Sequence, residues 1–272
     1  MAKRIKKSVS ATEEFTLYMA GLTPSESSLF DWDHVRNPMH VLISFAYHNH
    51  FDELFSRFSL KDAPGIMLDS GAYTVWNVEG TVSLDAYIAY VLEGPFAKYF
   101  TEVVALDVIG DAKASYENAM EMERQGVNVV PVFHYGEPLK YLRKYCQQWE
   151  KVGLGSMNAP TRAARTHWRD SVFNYAYPHK FHSFGYASEP LLQKYPFQSA
   201  DSTSWITGGP RWGRWDCDLS GAAKGFGRIR GAEARAAIPM NVISGLKLEK
   251  ELCAKWKHEI QNRQSAPKFS QK

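Results

Sequence analysis

Eight short runs rich in apolar and β-branched residues recur between residues 15 and 205, with helical or polar stretches between them. They are FTLYMAGL (15–22), HVLISFAY (40–47), GIMLDSG (65–71), EVVALDVIG (102–110), NVVPVFHYG (128–136), KVGLGSM (151–157), KFHSFGYA (180–187) and FQSADSTSW (197–205). The intervening segments DELFSRF, LDAYIAYVLEG, AKASYENAMEMERQG, LKYLRKYCQQWEKV, TRAARTHWRDSVFNYAY and EPLLQKY carry helical spacing of apolar residues. Strands that alternate with helices pair in parallel through crossover connections. Eight such units in this length predict an α/β fold, a (β/α)8 TIM-like barrel, with a doubly wound sheet as the structural rival. The expected organisation is a basic N-terminal segment (1–14), a barrel body with all eight strands (15–205), and a basic, aromatic C-terminal extension (206–272) with a closing helix and a frayed tail.

Charge separates these regions. The net charge is +3, yet residues 1–7 carry four Lys/Arg and no acid, and residues 206–272 carry 13 Lys/Arg against 6 Asp/Glu. Residues 8–205 are left with 15 basic and 23 acidic side chains. Basic ends around an acidic body suit a polyanionic partner, although terminal Lys/Arg runs also serve solubility. No apolar run approaches the length of a membrane span, so no membrane partner is expected. The start, MAKRIKKSVSATEEF, lacks the apolar core of a secretory signal. A cytoplasmic location follows as the expectation, in the host if the chain is phage-encoded. Cys146, Cys217 and Cys253 are too scattered for a disulfide framework or a zinc cluster and read as reduced thiols.

In a barrel, the C-terminal strand ends converge on one mouth, where chemistry is done. The polar residues of the runs fall there: Asp69 in the third, Asp107 in the fourth, His134 in the fifth, Gly153 and Gly155 in the sixth, His182 and Gly185 in the seventh, Asp201 in the eighth. A single aspartate at a strand end is usually a turn or cap residue. Three in one mouth are less easily set aside in that way.

LDSGAYT (68–74) resembles the Asp-Ser-Gly-Gly-aromatic signature of tRNA-guanine transglycosylases. ALDVIGD, PVFHYG, VGLGSM, FHSFGYA and SADSTSW follow in that family's order, so the resemblance spans residues 65–205. Members exchange a guanine in nucleic acid for a 7-deazaguanine. The resemblance implies Asp201 as nucleophile, Asp69 as general acid/base and Asp107 as reader of the purine edge. It implies Tyr73 and Phe184 on the two faces of the base, and backbone of Gly153 and Leu154 against its polar atoms. Ser70, Gly71, His134 and Gly185 complete the implied base-binding set. No cofactor and no metal are implied. The chemistry needs such groups: guanine leaves poorly, and a carboxylate that attacks the anomeric carbon splits the exchange into two displacements. A second carboxylate protonates the departing base and later deprotonates the incoming one.

The sequence departs from that pattern in instructive places. The zinc site of the tRNA enzymes, three close cysteines and a histidine after the nucleophile, has no counterpart, since Cys217 is followed by no cysteine until Cys253. The signature's second glycine is Ala72, and the family's fifth-strand glutamine is His134. In the zinc module's place stands GGPRWGRWDCDLSGAAKGFGRIRG (208–231), where Trp212 and Trp215 interleave with Arg211, Arg214, Lys224, Arg228 and Arg230. Cations neutralise phosphates and aromatic planes stack on exposed bases. This shortened form resembles the phage-type DNA guanine transglycosylases, which implies DNA and a free 7-deazaguanine as partners, with tRNA as the alternative polymer. Two rivals remain. HNH (48–50) with His134, His182 and Asp201 imitates a barrel metallohydrolase, and basic ends alone permit a catalytically silent nucleic-acid-binding barrel.

Overall fold

The computed structural model describes residues 14–22, 39–76, 82–156, 158–185, 187–206 and 232–265. Nine strand segments occur among them: β1 (Thr16–Met19), β2 (His40–Ser44), β3 (Ile66–Asp69), β4 (Phe100–Val104), β5 (Val129–Val130), β6 (Val132–His134), β7 (Lys151–Gly155), β8 (Lys180–Phe184) and β9 (Ser199–Ser202). Their order is β5-β4-β3-β2-β1-β9-β8-β7-β6, and every pairing is parallel. The two ends of that order, β5 and β6, are consecutive in the chain and separated by Pro131 alone. Proline has no N–H to give a ladder, so one strand is registered as two pieces. Val130 accepts from Ala105 N on one side (3.0 Å), and Pro131 accepts from Gly153 N on the other (2.8 Å). The sheet therefore closes on itself: the protein is an eight-stranded α/β barrel, and the open doubly wound alternative is excluded.

The helices fall between strands as the periodicity predicts: α1 (Phe51–Arg57), α3 (Leu84–Glu93), α4 (Ala112–Arg124), α5 (Leu139–Gln148), α6 (Arg162–Ala176) and α7 (Glu189–Lys194). Side-chain caps fix several starts. Ser83 accepts from Ala86 N, Asp111 from Lys113 N and Ala114 N, and Thr161 from Ala164 N. A short helix not anticipated, α2 (Ala72–Trp76), begins directly after the Asp69 turn. The second run is shorter than expected because Ser44 caps a 3-10 turn over Phe45–His50.

The last helix, α8 (Ala232–Ser265), packs back on the barrel. Its Glu249 accepts from Leu17 N (2.9 Å), Cys253 Sγ donates to Phe15 O (3.2 Å), and Trp256 Nε1 donates to Leu192 O on α7 (3.0 Å). No helix among the described residues is long and apolar enough to cross a membrane.

Alternation along the strands sorts side chains to the two faces of the sheet. Leu17, Met19, Val41, Ile43, Ile66, Leu68, Val103, Phe133, Val152, Leu154, Phe181 and Ala200 join the large core between sheet and helices. Tyr18, Ala20, Leu42, Met67, Val104 and Val132, with Phe184, form a separate cluster inside the barrel. The inward positions include His40, Glu102, Lys151, His182, Ser199, Asp69, His134 and Asp201, which share the parity of that inner cluster. The interior is thus polar at both ends and apolar at its waist.

Candidate active site

Asp69 is the last residue of β3 and lies at the C-terminal end of the barrel. Its Oδ2 accepts from Gly71 N at 3.0 Å. That turn needs glycine twice over: φ is +77°, and a Cβ would stand 2.8 Å from Ala46 N. Burial, with the nearby Asp107 and then Asp201 carboxylates, drives the Asp69 carboxyl up to about 7, while hydrogen bonds from Gly71 and Ser44 pull the other way. Burial first, and the neighbouring carboxylates after it, thus bring Asp69 to the boundary of ionisation.

Asp107 lies three residues beyond β4. The cap of α4 is Asp111, so capping does not occupy Asp107. Ser70 Oγ donates to Asp107 Oδ1 (3.3 Å) and itself accepts from Ala72 N (3.3 Å), which ties the Asp69 turn to the neighbouring strand end. Asp107 Oδ2 meets His134 Nε2 at 2.6 Å. Burial depresses the His134 imidazole, but the Asp107 carboxylate, with help from Glu137, outweighs it, and the net direction is up. Glu137 Oε2 also accepts from His134 N (3.0 Å), and burial raises that carboxyl. Glu137 was not anticipated as part of this group; its signal was its position three residues after the strand-end histidine.

Asp201 is almost wholly buried, 6% exposed, and is the third residue of β9 beside Tyr18 of β1. Its Oδ1 accepts from Gly185 N (2.8 Å) and faces His182 Nε2 (3.3 Å). Oδ2 has no donor among the described residues. Asp201 and His182 therefore sit a layer deeper than a strand-end position, and Phe184 closes over them with its ring 4.3 Å from the His182 ring.

The glycines of β7 serve by their missing side chains. A Cβ on Gly153 would lie 2.2 Å from Phe184 Cε2, and one on Gly155 would lie 2.4 Å from His134 Nδ1. One of the expected backbone donors is already engaged here. Gly153 N–H is already bound to Pro131 O, so that donor is not on offer to a base. The Leu154 side chain is buried on the outer, helix-facing side. What Gly153 gives the mouth is room for Phe184, and what Gly155 gives is room for His134.

Tyr73 stands on α2 with 52% of its surface exposed, near the mouth's rim. Phe184 pairs with His182, so the two rings expected on either side of a base are not stacked on each other. Arg211, Trp212, Arg214, Trp215, Lys224, Arg228 and Arg230 lie outside the described residues. The HNH stretch does not join the mouth group: His48 Nδ1 is bound to Phe45 O (2.9 Å) and its ring stacks on Phe45. Among the described residues no group of three or more His, Cys, Asp or Glu is arranged to hold a metal ion.

Deeper in the barrel lies a second polar cluster that sequence reading passed over. Lys151 Nζ contacts both oxygens of Glu102 (2.5 and 2.6 Å) and donates to Ser199 Oγ (3.3 Å). Ser199 Oγ in turn lies 2.8 Å from His182 Nδ1. Burial, then Glu102, hold the Tyr18 phenol well above its ordinary range. The available signal was a charged or hydroxyl residue two positions from an inner residue on β4, β7 and β9.

No family model matches the chain, and no curated protein matches it. Solved structures similar to it include a mutant tryptophan synthase alpha-subunit from Pyrococcus furiosus, with 14% identity over 86% of this chain and 98% of that one, TM-score 0.49. A protein of Aquifex aeolicus VF5 shows 11% identity over 89% and 92%, TM-score 0.48. The barrel assignment rests on the closed strand order, and no residue role is drawn from these likenesses.

Proposed function

We propose that this chain is a base-exchange transglycosylase that replaces guanine in DNA with a 7-deazaguanine, such as 7-cyano-7-deazaguanine, through a glycosyl-aspartate on Asp201. One observation carries the reading: two carboxylates at the same end of the barrel are held in different surroundings. Asp69 is pushed up to about 7, the range of a group that both gives and takes a proton at neutral pH. Among the described residues Asp201 is held through Oδ1 alone, which leaves Oδ2 for attack.

The steps follow from those surroundings. With the target nucleotide turned out of the helix, Asp201 Oδ2 attacks C1′ of the sugar and the bond from C1′ to the base breaks. The bond's electron pair leaves with guanine, which takes the proton of the Asp69 carboxyl. The incoming base then gives its ring proton to the Asp69 carboxylate, its nitrogen attacks C1′, and the Asp201 carboxylate departs. Asp107 accepts from the ring N–H and exocyclic amine of the purine, exchanging its bond with His134 for bonds to the base. Phe184 supplies an apolar face above the nucleophile, and Tyr73 a ring at the rim.

The absent cysteine-rich module and the aromatic-basic stretch 208–231 favour DNA over tRNA. The deciding assay measures incorporation of labelled guanine into matched DNA and tRNA substrates. Exchange into DNA, with a denaturation-resistant adduct lost in Asp201→Asn, is the expected result. Exchange confined to tRNA overturns the polymer, and exchange into neither overturns the reaction.

A further inference from the structure

The cluster beneath the mouth has a direction. Lys151 is a donor with no acceptor, so its contact with Ser199 is a bond given to the hydroxyl oxygen. Ser199 has one proton, and its other polar partner is His182 Nδ1 at 2.8 Å. If the hydroxyl donates there, Nδ1 is the imidazole's acceptor and the ring proton sits on Nε2, which faces Asp201 Oδ1. The opposite orientation would set the Nε2 lone pair against those of the Asp201 Oδ1 oxygen, which already accepts from Gly185 N.

We infer that Ser199, anchored by the Lys151–Glu102 pair, fixes His182 with its proton on Nε2, and that His182 is thereby a positioning residue which orients Asp201 through Oδ1 and leaves Oδ2 for attack. The role of Asp201 in this statement rests on the function proposed above; the hydrogen-bond order does not. Full burial holds His182 neutral in spite of Asp201, which agrees with one ring proton rather than two. The residues name the parts of a Ser-His-Asp triad, but they cannot act as one. Ser199 is 1% exposed and lies at the closed end of the chain of contacts, while the carboxylate faces the open end. The serine sets the tautomer and the aspartate reacts, the reverse of the hydrolase order.

Two independent measurements test this. Long-range 1H–15N spectra of histidine-labelled protein, with His182 assigned by its loss in His182→Gln, should show a neutral ring protonated at Nε2 around neutral pH. Ser199→Ala should mix the two tautomers. A wild-type ring protonated at Nδ1 overturns the inference. In the exchange assay, His182→Leu removes the donor and should lower kcat by roughly 10- to 100-fold, as for a lost hydrogen bond to a charged group. His182→Gln keeps an N–H near the Nε2 position and should recover most of that loss, with little change in KM. If His182→Leu is folded and exchanges at the wild-type rate, or if glutamine rescues nothing while folding normally, the positioning role fails. Wild-type protein that shows the Nε2 tautomer but exchanges no base sinks the proposed reaction and leaves the hydrogen-bond order standing.

Discussion

The two polar ends of the barrel interior treat charge in opposite ways. At the closed end Glu102 meets Lys151 at 2.5 Å, and the remaining polar atoms pass into Ser199 and His182. At the mouth Asp69, Asp107 and Asp201 converge; His134 is bound to Asp107 and His182 faces Asp201, and Asp69 is the one without a basic partner among the described residues. Both ends are built from the same inward strand positions, so alternation does not separate them. Pairing does. A neutralised cluster holds a scaffold in place, whereas a buried carboxylate crowded by two others, as Asp69 is, keeps a proton mobile, and that is where chemistry is to be sought.

The strongest break in the comparison is chemical. Asp201→Asn keeps an oxygen to accept from Gly185 but loses the proposed nucleophile, and exchange should fall by about 10⁴-fold or more. Circular dichroism and DNA binding should stay near wild type; near-normal exchange by the verified variant removes Asp201 from the mechanism. At the closed end the largest effect should be on stability instead. Lys151→Met leaves Glu102 without its cation, and denaturant titration should show a loss of roughly 2–4 kcal/mol, below the range for a fully buried pair because both side chains keep some exposure. No loss would mean that the closed end is not held by charge pairing.

Asp69→Asn should divide activity from stability. Exchange should slow by roughly 10²-fold or more. Yet the folded carboxyl is pushed up to about 7, well above the ordinary carboxylate range, so the fold favours its protonated form. Stability tied to that proton is complete below the unfolded value and is lost as pH rises through the folded one. Asparagine mimics the protonated state. At pH 8 the variant should therefore be more stable than wild type by roughly 1–3 kcal/mol, reduced from the full shift because Asp69 keeps some contact with water. Below about pH 4 the difference should vanish. A variant less stable at pH 8 would show that the mouth carboxylates are not in conflict.

Much of this arrangement was legible. Eight runs gave the barrel because period-two and helical patterns alternate without a break, and Asp69, Asp107, His134 and Asp201 do lie toward one end of it. Three features were not legible. Closure through Pro131 depends on which neighbours its carbonyl and those beside it meet. The use of Gly153 as space for Phe184 depends on a side chain that leans across a strand. The Glu102–Lys151–Ser199–His182 chain joins residues far apart in sequence, and a lone lysine at a strand start reads as surface until its parity is known to be inward.

The smallest effect compares the histidines of the two ends, and its sign differs between them. His134 is raised overall because Asp107 and Glu137 outweigh its burial. Its contribution to stability is therefore full below the unfolded histidine value and fades as pH rises through the folded one. His182 is lowered because burial outweighs Asp201. Its contribution is full above the unfolded value and fades as pH falls toward the folded one, since the unfolded chain takes up a proton that the buried ring refuses. Replacement by glutamine removes each titration. Unfolding free energies measured across pH should show His134→Gln flattening the alkaline side of the profile and His182→Gln the acidic side, each by less than Asp69→Asn changes stability at pH 8. Asp69 shares the alkaline window, so the His134 effect is to be read in an Asp69→Asn background. If both histidines shift the same limb, the two ends of the barrel do not differ in how they handle protons, and the contrast between them fails.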